Sequence, residues 1–308
     1  MSKLAPIGLS AYSRINHLKK TIESLRKNTL AKKSDLFIFS DAPKKGDGDE
    51  EKVRKVRDYI RTISGFRKVH IIERKENNRV FNNRDGMRQL LDKYGKIIFM
   101  EEDNVSHPMF LKYMNEALDF FYPDKKIFAI GGYCLPVKFK SGYKNNFFLS
   151  VYFGAPFATW NNRGFIKAIK RNDQYLEVKK NDELEKKIKE THPQIFEVLS
   201  LMHEGKLNAG DYRINFYMRK NDLYCVCPVK SLIRNIGYDG SGEHCGSTNR
   251  LDVDLDFVGR VNFIKNYKYD QKMDREFYNY KRLWIYKLPR PFRTVVHLIS
   301  KNLGKLKK

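Results

Sequence analysis

Four short apolar runs alternate with helix-like segments before residue 104, and this alternation constrains the fold more than any other feature. Pro6-Ile7-Gly8-Leu9-Ser10-Ala11 reads as a short buried strand, and Tyr12-Ser13-Arg14 as the turn after it. Leu18, Ile22 and Leu25 then recur at helical spacing, which starts a helix near Ile15. Leu36-Phe37-Ile38-Phe39 is a second strand, ending at Ser40-Asp41, and a charged helix runs from about Glu50 to Ser64. Val69-His70-Ile71-Ile72 is the third strand, Asn83 to Tyr94 the next helix, and Ile97-Ile98-Phe99-Met100 the fourth strand. Strands that are apolar throughout and alternate with helices predict an α/β fold with a mostly parallel sheet covered on both faces. In such sheets ligands bind beyond the carboxyl ends of the strands. Three polar clusters fall there: Ser13-Arg14, Ser40-Asp41 and Glu101-Glu102-Asp103.

The later chain is less regular. Ile127 to Gly132 reads as a strand, and Phe147 to Trp160 is rich in aromatic and small residues. A charged helical stretch spans about Asn172 to Glu204, and Asp211 to Met218 forms a further helix. Leu223 to Cys227 reads as a strand, and Asn235 to Ser247 as a glycine-rich loop. The expected organisation is one domain over 1–265, with a nucleotide-binding half to about 105 and an acceptor half after it. A basic amphipathic tail follows over 266–308.

Charge adds a second constraint. The chain carries 60 basic and 36 acidic residues, a formal net charge of +24. Its 41% apolar and 13% aromatic content exclude a disordered chain. The excess positive charge suits either nucleic acid or an anionic membrane surface. No RNP, KH, zinc-finger or helix-turn-helix pattern is present, which argues against nucleic acid. From Tyr278 onward, Trp284, Tyr286, Phe292 and Leu298 are mixed with Lys and Arg. That mixture suits an interfacial segment on anionic lipid, the alternative being a C-terminal helix packed on the domain. With no signal-peptide apolar region and no 18-residue apolar stretch, the body of the protein is expected in the cytoplasm, and the tail is expected to hold it at the inner face of the plasma membrane. The four cysteines (Cys134, Cys225, Cys227 and Cys245) lack C-x-x-C spacing and read as reduced thiols.

Three adjacent acids at a strand end repel one another unless something compensates them. A divalent cation does so: Mg²⁺ and Mn²⁺ take one or two carboxylates plus substrate phosphates. A solvated turn is the competing reading. The first turn holds no G-x-G-x-x-G or G-x-x-x-x-G-K-[ST], which argues against a dinucleotide site, a P-loop or a sugar nucleotidyltransferase.

Ile98-Phe99-Met100-Glu101-Glu102-Asp103-Asn104, followed by Pro108-x-Phe110-Leu111, resembles the metal-binding strand end of GT-A glycosyltransferases. The resemblance is to the branch around N-acetylglucosaminyltransferase I and related bacterial sugar transferases, with Glu102 replacing the middle Asp. Ser40-Asp41 resembles the element contacting uracil, and Tyr12-Ser13-Arg14 the loop bearing an arginine near the nucleotide. Asn83-Arg84-Asp85 lies where related enzymes carry a nucleotide-contacting segment. Gly154 to Trp160 resembles a W-G-W-A-T-W segment near the donor sugar, without its first two tryptophans. Asn235-Ile236-Gly237 through His244 resembles an S-N-I-G-F-x-G-x-G-x-H element.

This resemblance implies a Rossmann-like GT-A fold and a metal-dependent inverting transfer from a nucleotide-sugar to a saccharide or lipid-linked acceptor. It implies Asp103 as the direct metal ligand, with Mn²⁺ or Mg²⁺, and His244 as a further ligand or diphosphate contact. A plain exposed loop histidine is the alternative for His244. Tyr12, Arg14, Asp41, Arg84, Asp85, Glu101, Glu102 and Trp160 are implied contacts of the nucleotide-sugar. For Arg14 an exposed helix-start arginine is the alternative, and for Trp160 a core tryptophan. The acid upstream of the N-I-G element implies Asp211 as the base, with a helix N-cap as the competing role.

Overall fold

The computed structural model describes residues 3–136, 146–170, 173–242, 247–257, 259 and 262–264. They fall within one compact unit, Met1–Lys268. The basic tail and its membrane-surface role lie outside the described residues, as do His244 and Cys245.

Strands β1 (Ile7–Ala11), β2 (Asp35–Ser40), β3 (Lys68–Glu73) and β4 (Lys96–Glu101) alternate with helices α1 (Ile15–Arg26), α2 (Glu50–Ile60) and α3 (Arg79–Tyr94). β5 (Asn104–Ser106), α4 (Phe110–Phe121), β6 (Ile127–Gly131), β7 (Asn146–Leu149) and β8 (Phe157–Trp160) follow. The chain continues through α5 (Phe165–Ala168), α6 (Gln174–Lys179), α7 (Asp182–Thr191), α8 (Pro193–His203), α9 (Gly210–Lys220), β9 (Tyr224–Pro228) and β10 (Ile233–Asn235). Eight strands form one sheet in the order β3-β2-β1-β4-β8-β6-β9-β7, and β10 pairs with β5 in a second, two-stranded sheet. β1 to β4 are mutually parallel and β6 is parallel to β9, whereas β7 and β8 run antiparallel to their neighbours. The mostly parallel α/β sheet read from the sequence is therefore present, with two reversed strands supplied by the aromatic segment.

Strand alternation divides the core into two layers. Ile7, Leu9, Leu36, Ile38, Ile98 and Met100 share one cluster with α1, α2 and α4. Phe39, Phe99 and Gly8 face the other way, toward α3. A Cβ on Gly86 of α3 would lie 2.9 Å from the Phe39 ring, and one on Gly8 would meet Phe99 at the same distance. Both glycines let α3 sit close to the sheet. α3 is capped by Asn78, whose side chain accepts from the Phe81 N–H, and ends at Gly95 with φ +74°, where a left-handed residue closes the helix. That stop delivers the chain directly into β4.

The charged stretch after residue 172 forms three helices rather than one. Asp173 and Asn181 cap α6 and α7, and Pro193 opens α8 at a position where a missing N–H costs nothing. Together with Phe216 of α9 these helices bury their own small core, including Val178, Ile188, Ile195 and Leu199. Among the described residues no helix is long and apolar enough to cross a membrane.

Gly164 locks α9 against the sheet. It has φ +75°, and a Cβ there would lie 2.3 Å from the Tyr217 hydroxyl of α9. Gly164→Ala is expected to destabilise the protein by roughly 2 kcal/mol through overpacking and strain, read as a lower urea midpoint at unchanged slope.

Candidate active site

Strand register sets the first part of the site. Ala11 pairs with Ser40, Ser40 with Glu73, and Ser10 with Glu101. The residues just beyond these pairs, Tyr12, Asp41, Arg74 and Glu102, thus leave the sheet in one row at its carboxyl edge.

Arg14 sits at the N-cap position of α1, but its side chain does not cap the helix. Instead its Nε donates to Glu102 Oε1 and its Nη2 to Asp103 Oδ2, both at 2.8 Å. The second oxygen of Glu102 accepts from the Tyr12 backbone N–H at 2.6 Å, and its carbonyl accepts from the Thr21 hydroxyl at 2.8 Å. Glu102 is 5% exposed. With both carboxylate oxygens engaged, Glu102 fixes the β1–α1 turn to the end of β4. Opposite charges within hydrogen-bond distance also keep Arg14 protonated, raising its pKa despite the opposing effect of burial.

Asp103, 7% exposed, accepts from Arg14 on one oxygen and from the Asn104 side chain on the other, at 3.0 Å. Its carbonyl accepts from the Ile236 N–H at 2.9 Å, which ties β4 to the start of the glycine-rich loop. Gly237 then passes so close that a Cβ would lie 2.1 Å from Asp103 Oδ2. Further along that loop, His17 Nε2 pairs with Asp239 Oδ2 at 3.0 Å.

Asp41 is buried and accepts at Oδ1 from the backbone N–H groups of Ala42 and Asn78, at 3.0 and 3.1 Å. Burial raises its pKa, and those hydrogen bonds oppose the shift. The Tyr12 hydroxyl donates to Asp49 Oδ2 at 2.8 Å and accepts from the Lys44 N–H at 3.2 Å. Asp85 is held by Arg74 and Arg88 at 2.9 Å each and by Gln89 at 2.6 Å. Arg84 is partly buried on the same helix.

Glu101 joins this row to the second half of the chain. Burial pushes its carboxyl up to about 7, with further upward push from the charges of Asp103 and then Asp211, while Arg79 and Arg14 pull it down. Asp211 therefore lies near enough to Glu101 for its charge to be felt there, although 108 positions separate it from Asp103 in the sequence. Asp211 lies in the first turn of α9, whose N-cap is Ala209, so it is not the capping residue. Its carboxylate makes no hydrogen bond among the described residues, and its Oδ2 lies 3.6 Å from the Cβ position of Gly154.

Trp160 lies elsewhere. β8 runs antiparallel to β4, with Phe157 opposite Phe99 and Trp160 opposite Lys96. That register puts Trp160 about 16 Å along β4 from Glu101, at about 3.3 Å per residue. Trp160 is 2% exposed and packs against Tyr122, with the Arg163 guanidinium over its ring. It is a core residue, which corrects the sugar contact expected of it.

Sequence reading missed Arg79 and Tyr152. Arg79 opens a helix whose first turn looks like loop, and Tyr152 lies in the turn between β7 and β8. Nothing local marks either of them.

Among the described residues no group of three or more His, Cys, Asp and Glu side chains is arranged to hold a metal. The charge balance nevertheless suits a cation. Asp103 and Asp211 each act on Glu101 as like charges, and Arg14 is already committed to Glu102 and Asp103. One carboxylate with diphosphate oxygens and water is an ordinary Mg²⁺ or Mn²⁺ environment.

No protein-family model matches the chain, and no curated protein matches it. Among solved structures, S. aureus TarS is similar over 77% of this chain and 37% of its own, at 8% identity and a TM-score of 0.43. S. aureus TarS 1-349 in complex with UDP-GlcNAc is similar over 53% of this chain and 46% of its own, at 11% identity and TM-score 0.36. The mannosyltransferase PcManGT from Pyrobaculum calidifontis, in complex with GDP-Man and Mn²⁺, is similar over 53% of this chain and 45% of its own, at 12% identity and TM-score 0.35. The match thus spans less than half the length of each of these structures. At that level of likeness the functional argument falls to the geometry of this chain's own site.

Proposed function

We propose that this protein is an inverting glycosyltransferase that moves a sugar from a nucleotide-sugar, a UDP-sugar in the first instance, to a saccharide or lipid-linked acceptor. Synthesis of a bacterial surface polysaccharide is the setting that fits this acceptor class, with the basic tail meeting an anionic membrane surface. The observation that carries the reading is that Asp211 Oδ2 lies 3.6 Å from the Cβ position of Gly154, in the turn that enters β8 beside the end of β4 that leads into Glu101 and Asp103. That turn links the strand-end acids at the carboxyl edge of a parallel sheet to an unengaged carboxylate from a different element.

The nucleotide side is formed by Tyr12 and Asp41, with Arg84 and Asp85 on the helix beyond them. Arg14 and Glu102 support it from behind by holding the β1–α1 turn and Asp103 in fixed relation. Asp103, together with diphosphate oxygens, would hold Mn²⁺ or Mg²⁺, and His244 is a further candidate ligand. A bound divalent cation neutralises the diphosphate leaving group.

The acceptor hydroxyl oxygen forms its bond to the anomeric carbon as the bond from that carbon to the diphosphate oxygen breaks. The hydroxyl proton passes to Asp211, and the nucleoside diphosphate leaves with the bonding electrons. A carboxylate without a cap or ion-pair partner is suited to that proton transfer.

Calorimetry with UDP-, GDP-, CMP- and TDP-sugars, with and without Mn²⁺, tests the reading. At least one nucleotide-sugar is expected to bind in a metal-dependent manner and to be hydrolysed slowly to the free nucleotide. Absence of binding by every donor in Mn²⁺ would overturn the proposal.

A further inference from the structure

Resting on the reading of Asp211 as the base, we propose that Asn215 is its positioning residue, and that it acts by fixing α9 to the backbone at Tyr152. Asn215 lies one turn after Asp211 on the same helix, so both side chains project from one face. It is 8% exposed. Its Oδ1 accepts from the Tyr152 N–H at 2.6 Å, and its Nδ2 donates to the Tyr152 carbonyl at 3.3 Å. One amide thereby satisfies both backbone groups of a single residue in the turn between β7 and β8.

That turn meets α9 a second time two residues later, where Gly154 with φ +88° passes beneath Asp211 Oδ2. It then enters β8, whose Phe157 pairs with Phe99, two residues before Glu101 on β4. The route from Glu101 to Asp211 therefore passes through strand pairing, the turn and the Asn215 amide.

α9 has other contacts: Tyr217 packs against Gly164, Gln174 Nε2 donates to the Arg213 carbonyl at 3.4 Å, and Ile214, Phe216 and Met218 bury apolar surface. Among these the Asn215 amide ties α9 to the turn that passes beneath Asp211. Glu204 to Asn208, just before α9, are exposed. The two directional bonds of Asn215 lie one turn from the carboxylate and set its distance from the cleft. Tyr152 itself is buried, its ring edge-on to Phe157 and Phe165, so the anchor point is rigid.

The test uses the UDP-sugar that the full chain hydrolyses fastest, read as UDP released, with UDP affinity and melting temperature measured alongside. Asn215→Leu is expected to lower kcat about 100-fold, the scale of an ångström-sized misplacement. The donor KM should stay within about twofold, because nucleotide contacts are untouched. Asn215→Asp keeps the acceptor for the Tyr152 N–H but turns the donor into a second carboxylate oxygen facing the Tyr152 carbonyl, so it is expected to keep one of the two bonds and to lose an intermediate factor. Asn215→Leu added to Asp211→Asn should lower kcat no further than Asp211→Asn alone, because Asn215 acts through Asp211.

A lower melting temperature with unchanged kcat in both Asn215 variants would overturn the proposal, as would losses that multiply in the double variant. Full turnover by Asp211→Asn would instead overturn the base assignment on which it rests. Loss in Asp211→Asn with none in either Asn215 variant would overturn the positioning role alone.

Discussion

Asp211→Asn is expected to bind UDP as the parent protein does and to turn over about 1000-fold more slowly, the middle of the range for a general base. That factor corresponds to about 4 kcal/mol of transition-state stabilisation. The variant keeps the shape of the side chain and removes its basicity. Because Ala209 rather than Asp211 caps α9, the change removes no capping bond. Nor does it break an ion pair, since no salt bridge to Asp211 occurs among the described residues. Asp103→Ala should do the opposite, removing metal-dependent UDP binding and leaving Arg14 with one carboxylate partner in place of two. Calorimetry with UDP and initial rates of UDP release separate the two effects. If Asp211→Asn loses UDP affinity to the same degree as Asp103→Ala, the division into a base and a nucleotide-side acid is wrong.

The two variants act on parts of the site that differ in how far the sequence revealed them. The strand-end acids were legible because a buried parallel strand has few ways to end. An apolar run that stops in three acids must leave the sheet at its carboxyl edge. Their internal arrangement was not legible. Arg14 lies 88 positions from Glu102, and nothing near either residue announces the pair. Trp160 illustrates the same limit. Its segment was recognised, but its role depended on strand direction, and the antiparallel pairing of β8 sends it to the far end of β4. The start of α3 was obscured because its apolar residues there, Val80 and Phe81, are exposed and do not continue the core-facing spacing of Met87, Leu90 and Leu91. Asn82 is nevertheless buried, where it donates to the Phe39 carbonyl and accepts from Arg74, a long-range pairing that periodicity does not encode. The charged helical stretch is helical as read, divided into three helices by local signals at Asp173, Asn181 and Pro193. Local chemistry sets where elements begin and end, and tertiary register sets which side chains meet.

Gly237→Ala should therefore be among the most damaging single-methyl changes in the protein. The need for glycine comes from space, not from a left-handed backbone. The added Cβ would lie 2.1 Å from Asp103 Oδ2, 2.9 Å from Asp103 Cγ and 3.1 Å from Arg14 Nη1. None of those atoms can yield freely. Asp103 is held by Arg14 and Asn104, while Arg14 is held by both acids. Arg14 Nη1 is already buried without a partner among the described residues. To admit the methyl group, the Arg14–Asp103 pair must open or the loop after β10 must lift away. Opening a largely buried pair and stranding one member costs about 3 kcal/mol. Lifting the loop would instead break the hydrogen bond from the Ile236 N–H to the Asp103 carbonyl. Either route moves the carboxylate proposed to meet the metal and the diphosphate. The expected result is a lower melting temperature together with loss of metal-dependent UDP binding. Gly210→Ala is the control for stability: a Cβ there meets nothing within 4 Å, and its φ is not positive. Equal melting temperatures for Gly237→Ala and Gly210→Ala, with UDP affinity preserved in the first, would show that Asp103 is not held in the packed arrangement from which its role is argued.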